Sequence, residues 1–131
     1  MRGTGMIDAV GIDLVDIARI EKIRSKWKMK FLKRVYSDGE IAYCEGRAAP
    51  AQHYAARFAV KEAFLKCLGI GIGGGVWLRD IEVVHDVGGK PALKINGTAG
   101  DCARSKELNR THVSISHTDR SATAVVITER A

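Results

Sequence analysis

The stretch Arg57-Phe58-Ala59-Val60-Lys61-Glu62-Ala63-Phe64-Leu65-Lys66 decides how this chain is interpreted. At 100° per residue it predicts a helix whose circumference is covered almost completely by apolar side chains and alanines. Lys61 falls inside the apolar stripe, and Glu62 and Lys66 lie one turn apart at its edge. Because burying an ionised group is costly unless a partner compensates it, these charges are either an ordinary solvated Glu–Lys pair or part of a functional site.

Strand and helix patterns alternate on both sides of this helix, without an internal repeat. Strand patterns cover residues 7–15, 78–87, 92–95, 112–117 and 122–128, and helix patterns cover residues 17–35, 37–45, 50–68 and 98–108. Ser37 with Glu40 forms a capping-box pattern, while Pro50 and Gly69 bracket the long helix. The pattern predicts one α+β domain over residues 1–131, with a mainly antiparallel sheet packed with one long central helix and shorter helices.

Composition favours one compact soluble domain, since the chain has 131 residues and 46% hydrophobic content. The three cysteines are odd in number and form no C-x-x-C, which argues against a disulfide framework or a zinc ribbon. No apolar run approaches about eighteen residues and no signal peptide pattern opens the chain. We therefore expect free thiols and a cytoplasmic protein that does not insert into a membrane.

The net charge of +6 is concentrated between residues 17 and 34, where eight basic residues oppose Glu21 alone. Apolar residues step through this segment by three or four, which predicts an amphipathic helix with a basic outer face, capped by Asp16. Nucleic acid, an anionic membrane surface and an acidic protein would all complement such a face. The segment by itself does not choose among them.

Two further features stand out as candidates for ligand contact. Asp13 falls on the small, apolar face of the first strand, beside Gly11 and Val15. Residues 69–75 contain five glycines, so their backbone can approach a ligand closely. This glycine loop follows a helix and lacks G-x-x-x-x-G-K-[ST], which excludes a P-loop and a dinucleotide-binding fingerprint.

Three segments of the chain resemble, in their order and spacing, the signature of the 4′-phosphopantetheinyl transferases. The resemblance is to the short bacterial branch of that family, the holo-acyl-carrier-protein synthases. They are Val10-Gly11-Ile12-Asp13, residues 57–66 and Ser114-Ile115-Ser116-His117-Thr118. The resemblance extends over residues 7–127 and implies the phosphopantetheinyl transferase fold. It also implies the reaction of an enzyme of fatty acid biosynthesis, which transfers 4′-phosphopantetheine from coenzyme A to a serine of apo-acyl carrier protein and releases adenosine 3′,5′-bisphosphate.

The resemblance assigns roles to the unusual charges. It implies that Asp13 and Glu62 hold Mg²⁺ against the pyrophosphate of coenzyme A, as suits hard carboxylate oxygens. Lys66 would stabilise charge on the phosphoryl oxygens. We further expect Glu62, directly or through a metal-bound water, to accept the serine proton. The expected coenzyme A contacts are Arg57, Lys61, Lys66, Gly71, Gly73, Pro91, His117 and Thr118. The glycine loop departs from the family pattern because it carries no lysine.

In the same context the basic helix predicts a docking surface for the acidic acyl carrier protein. Its expected residues are Arg19, Lys22, Ile23, Arg24, Lys26, Trp27 and Lys28. Short members of the family are homotrimers that share active sites between neighbours, and we expect the same here. Two other classes stay open on the residues alone: a nucleic-acid-binding module that uses the basic helix, and a metal hydrolase that uses Asp13 and Glu62.

Overall fold

The computed structural model describes residues 5–130 of the chain. Its elements in chain order are β1 (Met6–Asp16), α1 (Ile17–Trp27), α2 (Met29–Val35), α3 (Asp38–Glu45), α4 (Pro50–Leu68), a 3₁₀ turn (Leu78–Asp80), β2 (Ile81–His85), β3 (Pro91–Ile95), α5 (Gly97–Ser105), β4 (Leu108–His117) and β5 (Ser121–Arg130). An antiparallel sheet has the strand order β1-β5-β4, and β2 and β3 form a separate antiparallel hairpin. The predicted α+β class with a mainly antiparallel sheet is confirmed.

The central helix α4 packs across the inner face of the three-stranded sheet, against β1 and β5. Pro50 opens the helix and Gly69 ends it in the left-handed region, at φ 74°. Where α4 crosses β1, a Cβ atom on Gly11 would lie 2.0 Å from the carbonyl oxygen of Ala63. Only glycine permits this approach, and it brings Asp13, two residues further along β1, to the side of the helix.

The predicted continuous basic helix is wrong, because the chain breaks at Lys28 into α1 and α2. Lys28 has φ 50° and ψ −133°, and its N–H donates to the carbonyl of Arg24 at 2.8 Å. Ile20 and Leu32 are both buried, yet on one continuous helix they would point about 120° apart. The break lets both side chains enter the core. The predicted cap of Asp16 is confirmed by its contact with the N–H of Ala18, at 3.3 Å.

Three other boundaries differ by three or more residues from the sequence-based expectation. The strand predicted for residues 78–87 begins with the 3₁₀ turn, since Asp80 folds back to accept hydrogen bonds from the N–H (2.9 Å) and hydroxyl (2.6 Å) of Thr98. The helix predicted for residues 98–108 ends at Ser105, before Glu107 adopts φ 59°. Leu108 then opens β4, which is longer than predicted. The predicted capping box at Ser37 and Glu40 is present.

The three cysteines lie apart as free thiols, in agreement with the sequence. Cys44 and Cys67 are buried and Cys102, on α5, is half-buried. Burial raises the pKa of the Cys44 thiol to about 12. Over residues 5–130, no helix combines the length and the apolar character that crossing a membrane requires.

Candidate active site

The structure brings Asp13, Glu62 and Lys66 together where β1 meets α4. Lys66 Nζ donates to the carbonyl of Ile12 at 2.8 Å and to Asp13 Oδ1 at 3.2 Å. Burial raises the pKa of Glu62, and the negative charge of Asp13 raises it further, while Lys66 and Arg19 act in the opposite direction. The two carboxylates therefore lie close enough to feel each other's charge, with one ammonium beside them.

This group of side chains suits a divalent cation. Its two carboxylates supply hard oxygen ligands and leave negative charge that Lys66 balances only in part. Within the described chain, no group of three or more His, Cys, Asp or Glu side chains has the arrangement of a metal site. A cation here would therefore complete its coordination with water or phosphate oxygens, which is how Mg²⁺ is commonly held. Asp13 and Glu62 are the residues that could hold it.

Lys61 does not belong to this group, and its expected contact with coenzyme A needs correction. Its side chain has no exposed surface, and Nζ donates to Glu40 Oε1 at 2.8 Å, to the carbonyl of Leu78 at 3.0 Å and to the carbonyl of Ile81. Glu40 also accepts from the N–H of Val83 at 2.9 Å. The Lys61–Glu40 pair thus joins α4, α3 and β2 inside the core, and the ammonium has no free hydrogen for a phosphate.

Arg57 lies on another side of α4, in a cluster of cations and aromatic rings. Its side chain is only 4% exposed, and Nε is buried without a hydrogen-bond partner. The guanidinium carbons of Arg57 and Arg47 lie 4.2 and 4.1 Å from the ring centroid of Tyr43. The rings of His53 and His85 also pack against Tyr43, with centroids 5.7 and 5.0 Å away. A buried arginine whose Nε lacks an acceptor is suited to an anion.

The pKa values of two histidines reflect the positive charge of this cluster. Burial is the main cause that lowers the pKa of His53 and of His85, and the charges of Arg57 and Arg47 lower both further. His117 lies near enough to add to the effect on His53, and its Nε2 accepts a hydrogen bond from the Gln52 amide at 3.1 Å. The structure therefore places His117 beside the Arg57 cluster.

The remaining predicted coenzyme A contacts are dispersed. The hydroxyl of Thr118 accepts from the N–H groups of Arg120 (3.2 Å) and Ser121 (3.1 Å), so it is engaged in the β4–β5 turn. Pro91 pairs with His85 across the hairpin, near the Arg57 cluster. Gly71 and Gly73 follow the other end of α4, and the helix between Arg57 and Gly69 is roughly 18 Å long. The structure therefore does not place these glycines beside Pro91.

Arg57 and Glu62 face different directions from the same helix. They lie five positions apart, which corresponds to about 140° around the helix axis. Arg57 accordingly faces α3 and Tyr43, whereas Glu62 and Lys66 face β1. One chain thus carries two charged groups of side chains on separate sides of α4. One contains the carboxylates of Asp13 and Glu62, and the other is the Arg57 cluster.

The basic surface of α1 and α2 contains a cleft of about 380 Å³. Its lining residues are Ile23, Trp27, Lys30, Phe31 and Arg34. Ile23 and Trp27 were expected at a docking surface; the three residues of α2 were missed because the break at Lys28 was not foreseen. Arg24 differs from the other predicted docking residues, since its guanidinium pairs with Glu21 and Glu45, each at 3.0 Å.

Sequence reasoning also missed Tyr43, Arg47, His53 and His85. They come from α3, the loop after it, the first turn of α4 and the end of β2. No spacing in the sequence connects these positions. The sequence contains one signal for them, because Arg47 and His53 precede Arg57 within ten residues.

This fold, with two carboxylates at the strand–helix contact, defines a known class. The family profile of the 4′-phosphopantetheinyl transferase superfamily matches residues 9–126, and the chain belongs to that family. Within it, the chain is 55% identical over 124 residues to the holo-[acyl-carrier-protein] synthase of Syntrophus aciditrophicus, an alignment that covers 95% of this chain and 97% of the relative.

Solved structures agree with this assignment. The holo-[acyl-carrier-protein] synthase of Neisseria meningitidis superposes with a TM-score of 0.87 at 31% identity, over 95% of this chain and 100% of that one. The Helicobacter pylori holo-[acyl-carrier-protein] synthase, solved in complex with coenzyme A, gives a TM-score of 0.81 at 35% identity, over 92% and 99% of the two chains.

Proposed function

We propose that this chain is a single-domain holo-acyl-carrier-protein synthase, which transfers 4′-phosphopantetheine from coenzyme A to a serine of apo-acyl carrier protein. Adenosine 3′,5′-bisphosphate leaves. The observation that carries the proposal is the meeting of Asp13 and Glu62 at β1 and α4, beside Lys66. A relative of this name at 55% identity and a structural neighbour in complex with coenzyme A support it.

In the reaction, the serine oxygen forms a bond to the β-phosphorus of coenzyme A while the bond from that phosphorus to the departing bisphosphate breaks. Bound Mg²⁺, held by Asp13 and Glu62, would neutralise negative charge on the phosphoryl oxygens. Lys66 adds a second positive charge at the same place. Glu62 accepts the serine proton.

The Arg57 cluster is our proposed subsite for a phosphate of the nucleotide, because the Nε of its buried arginine has no hydrogen-bond acceptor. Within one chain this cluster lies on a different side of α4 from Glu62. Val10, Ile12 and Leu14 leave the outer face of β1 apolar and 60–71% exposed, which is typical of an interface. These features support a homotrimer in which one chain's carboxylates and its neighbour's Arg57 cluster serve the same coenzyme A.

The partner we propose is an acidic carrier, docked on the basic surface of α1 and α2 in the cytoplasm. Besides Arg24, the predicted docking residues of α1 and Lys28 have no carboxylate within ion-pair distance in the described chain. Their charge is therefore available to steer a negatively charged partner into place.

Incubation with apo-acyl carrier protein, coenzyme A and Mg²⁺ tests the reaction, with mass spectrometry of the carrier as the readout. The carrier serine should gain one phosphopantetheine group. A chelator should stop the gain, and added Mg²⁺ should restore it. Asp13→Asn and Glu62→Gln should depress turnover strongly, whereas Val87→Ser, at an exposed hairpin turn, should not. An unmodified carrier with every protein, wild type included, would refute the proposed function.

Mixed oligomers test the shared active site. Arg57→Ala and Glu62→Gln should each be inactive alone, because each removes one half of every site. Co-expressed in one cell, the two variants should recover part of the activity, since some neighbours then combine an intact Arg57 with an intact Glu62. A mixed trimer that stays as inactive as either parent would show that both halves must come from one chain.

A further inference from the structure

Both tryptophans of the chain are exposed, and both lie beside Arg34. The sequence contains only Trp27 and Trp77, which are 50% and 62% exposed. Trp27 lines the cleft between α1 and α2, and Trp77 lines a second depression between α2 and the glycine loop. Arg34 lines both, so the two concave surfaces are continuous across one side chain.

The second depression has a volume of about 390 Å³ and an apolar floor. Val35, Val76 and Leu78 form the floor and are each 8% exposed, while Ile72 and Trp77 stand at the rim, each 62% exposed. Its volume lies within the range of about 300–1,000 Å³ that is usual for ligand pockets. Arg34 is the one charged side chain in its lining.

Hydrogen bonds to α5 and α2 hold the wall of the depression that carries Trp77. The N–H of Trp77 donates to the hydroxyl of Thr98 at 2.9 Å, and the Trp77 carbonyl accepts from the N–H of Asp80 at 3.0 Å. Arg79 donates to the carbonyl of Lys33 at 3.1 Å, which joins the 3₁₀ turn to α2. The exposed indole is therefore presented by a fixed backbone, as in binding sites that bury an aromatic anchor.

We propose that this second depression extends the docking surface for the acyl carrier protein: it receives an apolar side chain of the carrier, while Arg34 pairs with a carboxylate beside that side chain. The proposal rests on the proposed function. Arg34, and Lys30 in the adjoining cleft, have no ion-pair partner among residues 5–130, so this basic surface complements an acidic protein. Gly73, an expected coenzyme A contact, also lines the depression, and coenzyme A is therefore the competing occupant in the tests of this proposal.

Tryptophan fluorescence tests the contact without relying on activity. Trp27→Phe leaves Trp77 as the only indole, and apo-carrier alone should shift its emission to the blue as water is excluded. Coenzyme A alone should leave it unchanged. A response to coenzyme A but not to the carrier would overturn the proposal, as would an emission that is already blue-shifted and unresponsive, which would mean that a second copy of the chain covers the depression.

Kinetics supply the second test. Trp77→Ser should raise the KM for apo-carrier about tenfold or more, with the KM for coenzyme A unchanged; the control is Val87→Ser, which removes an exposed apolar side chain at the β2–β3 turn. Arg34→Glu should raise the carrier KM further than Lys106→Glu, which changes the net charge equally. If wild type modifies the carrier and Trp77→Ser keeps its KM, the docking proposal fails while the proposed function stands.

Discussion

The backbone of β1 at Gly11 contacts the carbonyl of Ala63 so closely that the strand and α4 leave no room for a Cβ atom, which would lie 2.0 Å from that oxygen. The contact sets the distance between Asp13 and Glu62, because each residue lies close in sequence to one side of it. A glycine with no side chain of its own in the site thus determines whether the two carboxylates meet.

Replacement of this glycine should damage both stability and activity. Gly11→Ala places a methyl group against the carbonyl of Ala63, so β1 and α4 must move apart or become strained. We expect a loss of about 1–3 kcal/mol in the free energy of unfolding, together with loss of phosphopantetheine transfer. Denaturant titration measures the first effect. Gly88→Ala is the control, since its Cβ would meet only an ordinary contact at 3.5 Å; equal stability of the two variants would contradict the close approach.

Lys61 and Lys66 lie on the same helix, but their replacement by methionine should affect different properties. The change at Lys61 should lower stability, and the change at Lys66 should lower the rate of transfer. Lys61→Met leaves the Glu40 carboxylate buried without its partner, which should cost about 3–5 kcal/mol of unfolding free energy. Lys66→Met removes a side chain that is 54% exposed and should hardly change stability, but it should depress transfer. Denaturation curves and turnover numbers for the two variants check this. A Lys61→Met protein as stable as wild type would mean that the buried pair contributes nothing.

The histidines of the Arg57 cluster should titrate below the usual histidine pKa of 6.5, since burial and then the arginine charges lower both values. The unfolded chain therefore binds these protons more tightly, and the fold should lose stability as the pH falls through about 6.5. Adenosine 3′,5′-bisphosphate should raise the midpoints of His53 and His85, because its phosphates offset the charge of Arg57. NMR titration of the imidazole C–H signals measures each midpoint. Midpoints that are the same with and without the nucleotide would exclude a phosphate from this cluster.

Salt should weaken carrier recognition more than coenzyme A binding. Exposed charges are screened within about 8–10 Å at moderate ionic strength, so the KM for the carrier should rise with salt. Lys22→Ala should raise that KM about twofold to fivefold at low salt. Arg24→Ala should change it less, since Glu21 and Glu45 already neutralise that guanidinium. Steady-state assays at several salt concentrations compare them, and an equal response of both Michaelis constants would contradict electrostatic steering.

The long helix and the placement of Asp13 could be predicted from the sequence because both depend on local periodicity. The caps at Pro50 and Gly69 and the small apolar face of β1 are properties of neighbouring residues, and the structure has them as expected. The same reasoning placed Lys61 in the apolar stripe. It could not identify Glu40 as the partner, since the two lie 21 residues apart and meet only when α3 packs on α4.

The break at Lys28 and the Arg57 cluster depend on tertiary packing. The apolar residues of α1 and α2 keep a helical period across Lys28, so no local pattern showed that Ile20 and Leu32 both enter the core. Tyr43 and His85 approach Arg57 from separate elements. The basic segment alone was equally compatible with nucleic acid, and the match of nearly the whole chain to one family supports the enzyme instead.

The unequal burial of the three thiols gives the chain a natural labelling position. Cys44 and Cys67 are closed off by the core, and the raised pKa of each keeps it protonated at neutral pH. Cys102 retains partial access to solvent on α5. A maleimide dye should therefore attach at this one position of the unmodified sequence, so that assembly and carrier encounter can be followed by energy transfer without removing any cysteine.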